Sequence, residues 1–515
     1  MRESTVPGKR IIICCFQGIC QGKGCFGGQQ IGQERDLTFL TWWQESLITT
    51  PVICLKTKFN FDRVGLQDAD RIWRVRGRWS NLMRTYFEFE KHHTGYKKEI
   101  LAGIATFLTM AYIIVVNPAI LEAAGIPKGP SLTATILSAA FGTLIMGVYA
   151  KRPFALAPYM GENAFIAFTV VRVLGCPWQT ALGAIFIAGV IFTALTLLKV
   201  RGWMAEAIPQ SLKFSFAVGI GLFLAFVGLN ETGIVSLGVT GAPVKLGKLS
   251  QPTVLLAVAG FFIIIWLTLK KVRGAIILGI LAATILSMAW SIVPLPNSIT
   301  SLPPSPGPLF LQLDIAGALS LKNLPIVLII FTMAYVDTVG TLIGLSARGG
   351  LLDKNGNLPE IEKPMLVDAV ANLIAPMLGT TTTGAYIESA AGVEEGGRTG
   401  FTALVVAGLF LLALFFAPIL TSVPPHAYGA ALIVIGSFMI SPITRLNFHD
   451  YTELIPAFLT IVMMIFTFNI GVGMTTGLLS YPLLKTAAGK YKEVPAGMWA
   501  FAALSLLFYV FYPYQ

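Results

Sequence analysis

The sequence predicts an all-α polytopic membrane protein of about 14 transmembrane segments, a 7+7 inverted repeat with broken third and tenth segments. Three observations predict it. First, 55% of the 515 residues are hydrophobic and only 12% are charged, with a mean hydropathy of +0.73. A soluble domain carries about 25% charged residues, so this composition places the chain in a bilayer. Second, the basic residues collect at the ends of apolar stretches, so the net charge of +11 reads as topology rather than as affinity for nucleic acid. Third, one short motif recurs in the two halves.

Residues 1–82 stand apart. They hold five of the six cysteines, and their longest apolar run, Ile11–Phe16, is too short to cross a membrane or to serve as a signal h-region. The cysteine spacing matches no zinc pattern, and Gly22, Gly24 and Gly27 have no strand before them to make a nucleotide loop. This extension reads as disordered, or as mistranslated sequence upstream of a natural start at Met83. Residues 83–515 form the transporter domain.

Its apolar segments begin at Glu99–Leu121, Ser131–Ala150, an interrupted Phe154–Val173 and Trp178–Leu198. Leu212–Leu229, Pro252–Leu269 and Gly274–Val293 complete a first repeat over about residues 99–293. A proline-rich linker spans 294–324. The second repeat, about 325–486, comprises Pro325–Ser346, Pro364–Leu378, an interrupted Thr382–Glu395, Thr399–Leu420, Tyr428–Ser441, Glu453–Asn469 and Val472–Thr486. A further apolar stretch at 498–512 is an extra helix or an interfacial one. With the N-terminus cytoplasmic, twenty Lys or Arg of residues 83–515 fall inside and five outside, which supports the fourteen-segment count.

Thr109-Met-Ala-Tyr112 recurs as Thr332-Met-Ala-Tyr335, and the same offset carries the interrupted third segment onto the tenth. Seven segments per half oblige the second half to enter from the opposite side, which is the plan of many secondary transporters.

The polar residues of greatest interest lie where the interrupted segments should meet. Irregular polar backbone at membrane depth is tolerated only when protein buries it or when it lines a wet cavity. An intramembrane carboxylate marks a candidate functional site. Leu378–Gly397 carries Thr380–Thr383 and Glu388; the third segment carries Glu162 and Asn163; the eighth carries Asp337. Asn163 also suits a cap for the half-helix after Gly161. Asp368 and Asn372 read as packing or solvated end groups, Glu394 and Glu395 as solvated, Arg398 as a loop anchor, His426 as a loop residue, and Asn117 as the end of the first helix. A channel would need a continuous polar path, whereas the polarity here gathers at one depth. No HExxH, paired membrane histidines or nucleophile–base pair suggests an enzyme.

EILAGIATFLTMAYIIVVNPAIL, MGENAFIAFTVV, FTMAYVDTVGTLIG and AYIESAAGVEEGGRTGFTALV resemble the AzgA-like (azaguanine-resistance type) purine nucleobase permeases of the nucleobase–cation symporter-2 superfamily. The resemblance covers essentially all of residues 83–515. It implies proton-coupled uptake of adenine, guanine or hypoxanthine across the plasma membrane, with no cofactor beyond the coupling proton. It also implies a core (segments 1–4 and 8–11) that rocks against a gate (5–7 and 12–14). By motif position, purine contacts fall on Gly161, Asn163, Asp337 and Glu388. Glu162, Thr383 and Tyr386 are further candidates for substrate contact or proton coupling, and Tyr386, Phe165 or Tyr335 could stack on the ring. Glu162 departs from the family pattern, which has an apolar residue there, and so leaves the preferred purine open. Sister permeases take uracil, xanthine or other small heterocycles or anions. The expected partners are the nucleobase, the lipid bilayer and a second copy in a homodimer, without metal or nucleic acid.

Overall fold

The computed structural model describes residues 81–198, 208–239, 242–296, 298–352 and 358–510. The expectation for the N-terminal extension therefore lies outside the described residues, apart from positions 81 and 82. Fourteen membrane segments follow in the expected order, in the 7+7 inverted-repeat fold, with a further apolar helix at Ala496–Val510 packed along the fourteenth. Among the described residues, eight helices are long and apolar enough to cross a bilayer; the other segments are shorter or broken.

The breaks organise the molecule. The third segment starts as a strand, Leu156–Pro158, and resumes as the helix Met160–Ala164 running on into a π-helical stretch, Phe165–Val173. The tenth starts as the strand Thr383–Ala385, then turns through Ile387–Ser389 into the helix Ala390–Glu394. The two strands pair antiparallel, Leu156 opposite Ala385, Ala157 opposite Gly384 and Pro158 opposite Thr383. The pairing satisfies extended backbone that would be costly to leave bare in a membrane. Side chains finish the task. Thr143 Oγ1 accepts from Leu156 N–H at 2.8 Å, and Asn372 Oδ1 accepts from Thr383 N–H at 2.8 Å. Asp368 Oδ2 accepts from Ala385 N–H at 3.0 Å. Asp368 and Asn372 are thus wholly buried braces of the crossing, not solvated end groups.

The segments pack in two groups. Segments 1 to 4 pack with 8 to 11 around the strand crossing, and segments 5 to 7 pack with 12 to 14. Glycines set the close approaches: a Cβ at Gly228 of segment 5 would meet the Gly429 carbonyl of segment 12 at 2.5 Å.

Several local expectations are corrected. The first segment is two helices, Tyr96–Met110 and Ile113–Glu122, and Asn117 lies inside the second. Its amide donates to Thr135 Oγ1 at 2.7 Å and Thr380 Oγ1 at 2.9 Å, so a polar residue there does not end the helix. His426 is no loop residue: it sits in the first turn of the helix Pro425–Phe438, buried, with Nε2 2.7 Å from Ser287 Oγ of the seventh segment. Pro425 at the helix start explains the misreading, because proline favours a first turn as much as a loop. A hairpin, Val235–Val239 with Ala242–Leu246, joins segments 5 and 6 and adds a small β element to an otherwise helical chain. Arg398 does anchor a loop, donating to the carbonyls of Val393 and Gly397.

Candidate functional site

A cavity of about 720 Å³ lies between the two groups, within the roughly 300–1,000 Å³ of small-ligand sites. Tyr159, Met160 and Gly161 line it from the third segment, Ala385, Tyr386 and Glu388 from the tenth, and Asp337 from the eighth. Ala217 and Ile220 of segment 5 face them across the gap. The mouth carries Lys271, Arg273, Arg348 and Glu394, all exposed. Around the mouth Arg273 pairs with Glu395, and Arg348 with Glu394 at 3.2 Å.

Glu388 is held from two sides. Tyr112 OH donates to Oε1 at 2.5 Å, and Thr109 Oγ1 donates to the Glu388 backbone carbonyl at 3.2 Å. Both donors come from the first helix of segment 1 or the turn after it, so the break at Ala111–Tyr112 carries the tyrosine to the carboxylate. Tyr112 OH occupies one oxygen of a half-buried carboxylate on the cavity wall. A carboxylate so oriented accepts one or two hydrogen bonds from a flat heterocycle. Asp337 is likewise half-buried on the wall.

The predicted residues divide into two layers. Gly161, Asp337, Tyr386 and Glu388 line the cavity. Asn163 and Thr383 lie behind it. Thr381 donates its hydroxyl to Asn163 Oδ1, while Thr383 Oγ1 is 2.8 Å from Ser138 Oγ and donates to the Thr381 carbonyl. Glu162 is fully buried and off the cavity wall, and neither carboxylate oxygen has a partner among the described residues. Of the stacking candidates, Tyr386 is on the wall. Tyr335 packs on Phe192 and Phe331, and Phe165 packs against Gly471.

Three contributors escaped sequence reasoning. Tyr112 and Thr109 stand in the repeated Thr-Met-Ala-Tyr motif, which flagged them without giving a role. Tyr159 sits on the wall with its hydroxyl 3.2 Å from Thr338 Oγ1 and 3.4 Å from Asp368 Oδ2, its ring covering the side-chain-free face of Gly384. Nothing in the sequence around Tyr159 distinguishes it from packing material.

Two broken helices crossing beside a cavity with carboxylates on its wall are the arrangement of a membrane transporter. The chain belongs to the permease family whose description, Permease family (Xan_ur_permease), matches residues 97–476. The adenine permease AdeQ of Escherichia coli is 40% identical over 428 residues, covering 83% of this chain and 96% of that protein. The guanine/hypoxanthine permease PbuG of Bacillus subtilis is 38% identical over 440 residues, covering 83% of this chain and all of its own length. The transmembrane domain of the cyanobacterial bicarbonate transporter BicA superposes with a TM-score of 0.55 at 17% identity, covering 74% of this chain and 97% of that one. At that identity the likeness concerns the fold alone.

Proposed function

We propose that the chain is a proton-coupled importer of purine nucleobases across the plasma membrane, working by alternating access with its N-terminus in the cytoplasm. Relatives that carry adenine or guanine and hypoxanthine support the substrate class. The observation that carries the reading is Glu388 on the cavity wall, clamped by Tyr112 at one oxygen, with Asp337 lining the same cavity. A purine edge offers ring N–H donors to the two acids, Tyr386 offers a ring face, and one acid exchanges the coupling proton. With that orientation of the N-terminus the mouth, which lies among the basic loops, faces the cytoplasm, and the conformation reads as inward-open. Competition for radiolabelled hypoxanthine uptake in a strain lacking purine uptake, with and without a protonophore, tests it. Inhibition by unlabelled adenine, guanine or hypoxanthine, and loss of uptake with the protonophore, are expected. Inhibition by uracil or xanthine alone would assign the chain to a sister specificity.

A further inference from the structure

On the side of the cavity away from its mouth, one aromatic ring of the core is lodged among rings of the gate. Phe168, on the π-helical stretch of the third segment, stands 5.6 Å from the Phe468 ring and 6.4 Å from the Phe223 ring, both edge to face. Phe223 and Phe468 lie 5.0 Å apart, and Phe226 closes on Phe468 at 5.7 Å. Phe223 and Phe226 belong to segment 5, and Phe468 to the turn between segments 13 and 14, all in the gate group.

The position follows from the chain direction. Segment 5 starts at the mouth end, where Arg445 lies over the Phe214 ring, contributes Ala217 and Ile220 to the cavity wall, and only then reaches Phe223. The third segment likewise passes Gly161 on the wall seven residues before Phe168, about 10 Å of helix. Phe168 and Phe223 are buried and Phe226 and Phe468 half-buried, so the rings pack on one another beyond the site. Phe468 has a positive φ of 51°, a left-handed backbone that a bulky aromatic residue rarely adopts. Such local strain persists where surrounding structure over-determines it, and it concentrates at clamps and switches. Here the neighbouring Asn469 holds the turn, its Oδ1 accepting from Val472 N–H at 3.0 Å.

We propose that Phe168, Phe223 and Phe468 form the gate that seals the substrate cavity from the face opposite its mouth, and that this gate opens when Phe168 withdraws from between the other two. The proposal rests on the alternating-access reading above. It assigns to the aromatic cluster the barrier that any far-side opening must break, because these are ring contacts between the two moving groups.

The test is accessibility, which needs no substrate. Ala217 lines the cavity, so Ala217→Cys in the full chain, with the six native cysteines replaced by serine, reports which face reaches the site. A membrane-impermeant maleimide is applied to that face in intact cells. Phe168→Ala and Phe223→Ala are each expected to raise the labelling rate by about tenfold, the shift given by weakening the closed state by about 1.4 kcal/mol. Phe168→Tyr, which keeps the ring, is expected to label like the parent. If Phe168→Ala does not reach the membrane, Phe168→Leu carries the same expectation. Parent-like labelling in both ring-deleted variants overturns the gate. A raised rate in variants that carry no purine would leave the gate standing and sink the substrate reading instead.

Discussion

Tyr112→Phe removes one hydroxyl and nothing else from the site. That hydroxyl donates to Glu388 Oε1 at 2.5 Å, and Tyr112 is itself 1% exposed. A hydrogen bond to a charged group contributes about 1.5–3 kcal/mol. At about 1.4 kcal/mol per tenfold, losing it should raise the KM for purine roughly 10- to 150-fold if the clamped carboxylate is what the substrate meets. The fold should hold, because Glu388 faces the open cavity and can find water there. Initial rates of radiolabelled hypoxanthine uptake in proteoliposomes, beside thermal unfolding in detergent, separate the two effects. A KM within twofold of the parent would refute the orienting role of Tyr112. A loss of thermal stability matching the loss of uptake would assign the hydroxyl to folding instead.

Other expectations follow from contacts at the site and at the membrane surface. Glu99 is fully buried and accepts from Thr94 Oγ1 at 2.8 Å, Arg398 N–H at 3.1 Å, Thr402 N–H at 3.2 Å and Thr402 Oγ1 at 2.5 Å. Glu99→Ala leaves these buried donors without an acceptor and should destabilise the chain, at about 1–3 kcal/mol for each donor left unmade, read as a lowered unfolding midpoint in detergent, with Glu99→Gln milder. A Cβ at Gly161 would lie 2.7 Å from Ile220 Cγ2, so Gly161→Ala should wedge the two groups apart and depress uptake about tenfold; pairing it with Ile220→Ala, which removes that methyl, should recover part of the loss, which independent sites would not do. Asp450 caps the helix Tyr451–Phe466, and its hydrogen bonds from Thr452, then its contact with Lys490, hold its carboxyl well below the usual range. A lowered folded-state value means stability that is present at neutral pH and lost as the pH falls through the carboxylate range. Asp450→Asn should accordingly be less stable than the parent at neutral pH, with the gap starting to narrow only as the pH falls below about 4 and continuing to narrow as it falls further, as thermal unfolding across pH will read.

Much of the plan was legible because membranes leave so few choices. Apolar length and the sorting of Lys and Arg defined the segments, and Gly161 and the Thr380–Thr383 run marked both breaks, since such backbone at depth demands a buried or wet setting. Glu388 and Asp337 stood out as carboxylates in apolar surroundings, and both line the cavity. What stayed hidden depends on partners distant in sequence. Tyr112 is an ordinary aromatic until the tenth segment brings Glu388 to it, 276 residues away. Asp368 and Asn372 look like end groups until the strand Thr383–Ala385 needs acceptors. Asn163 stands two residues after Gly161 in sequence, and helical geometry turns it behind the wall and onto Thr381.

The central claim, purine movement coupled to protons through Asp337 and Glu388, is tested most directly in proteoliposomes holding the purified chain. Radiolabelled hypoxanthine uptake is measured with an imposed inward proton gradient, without one, and in Asp337→Asn and Glu388→Gln. The account predicts transient accumulation above the external concentration only under the gradient, and loss of that accumulation in at least one variant. Accumulation that ignores the gradient, or gradient-driven accumulation intact in both variants, would contradict it.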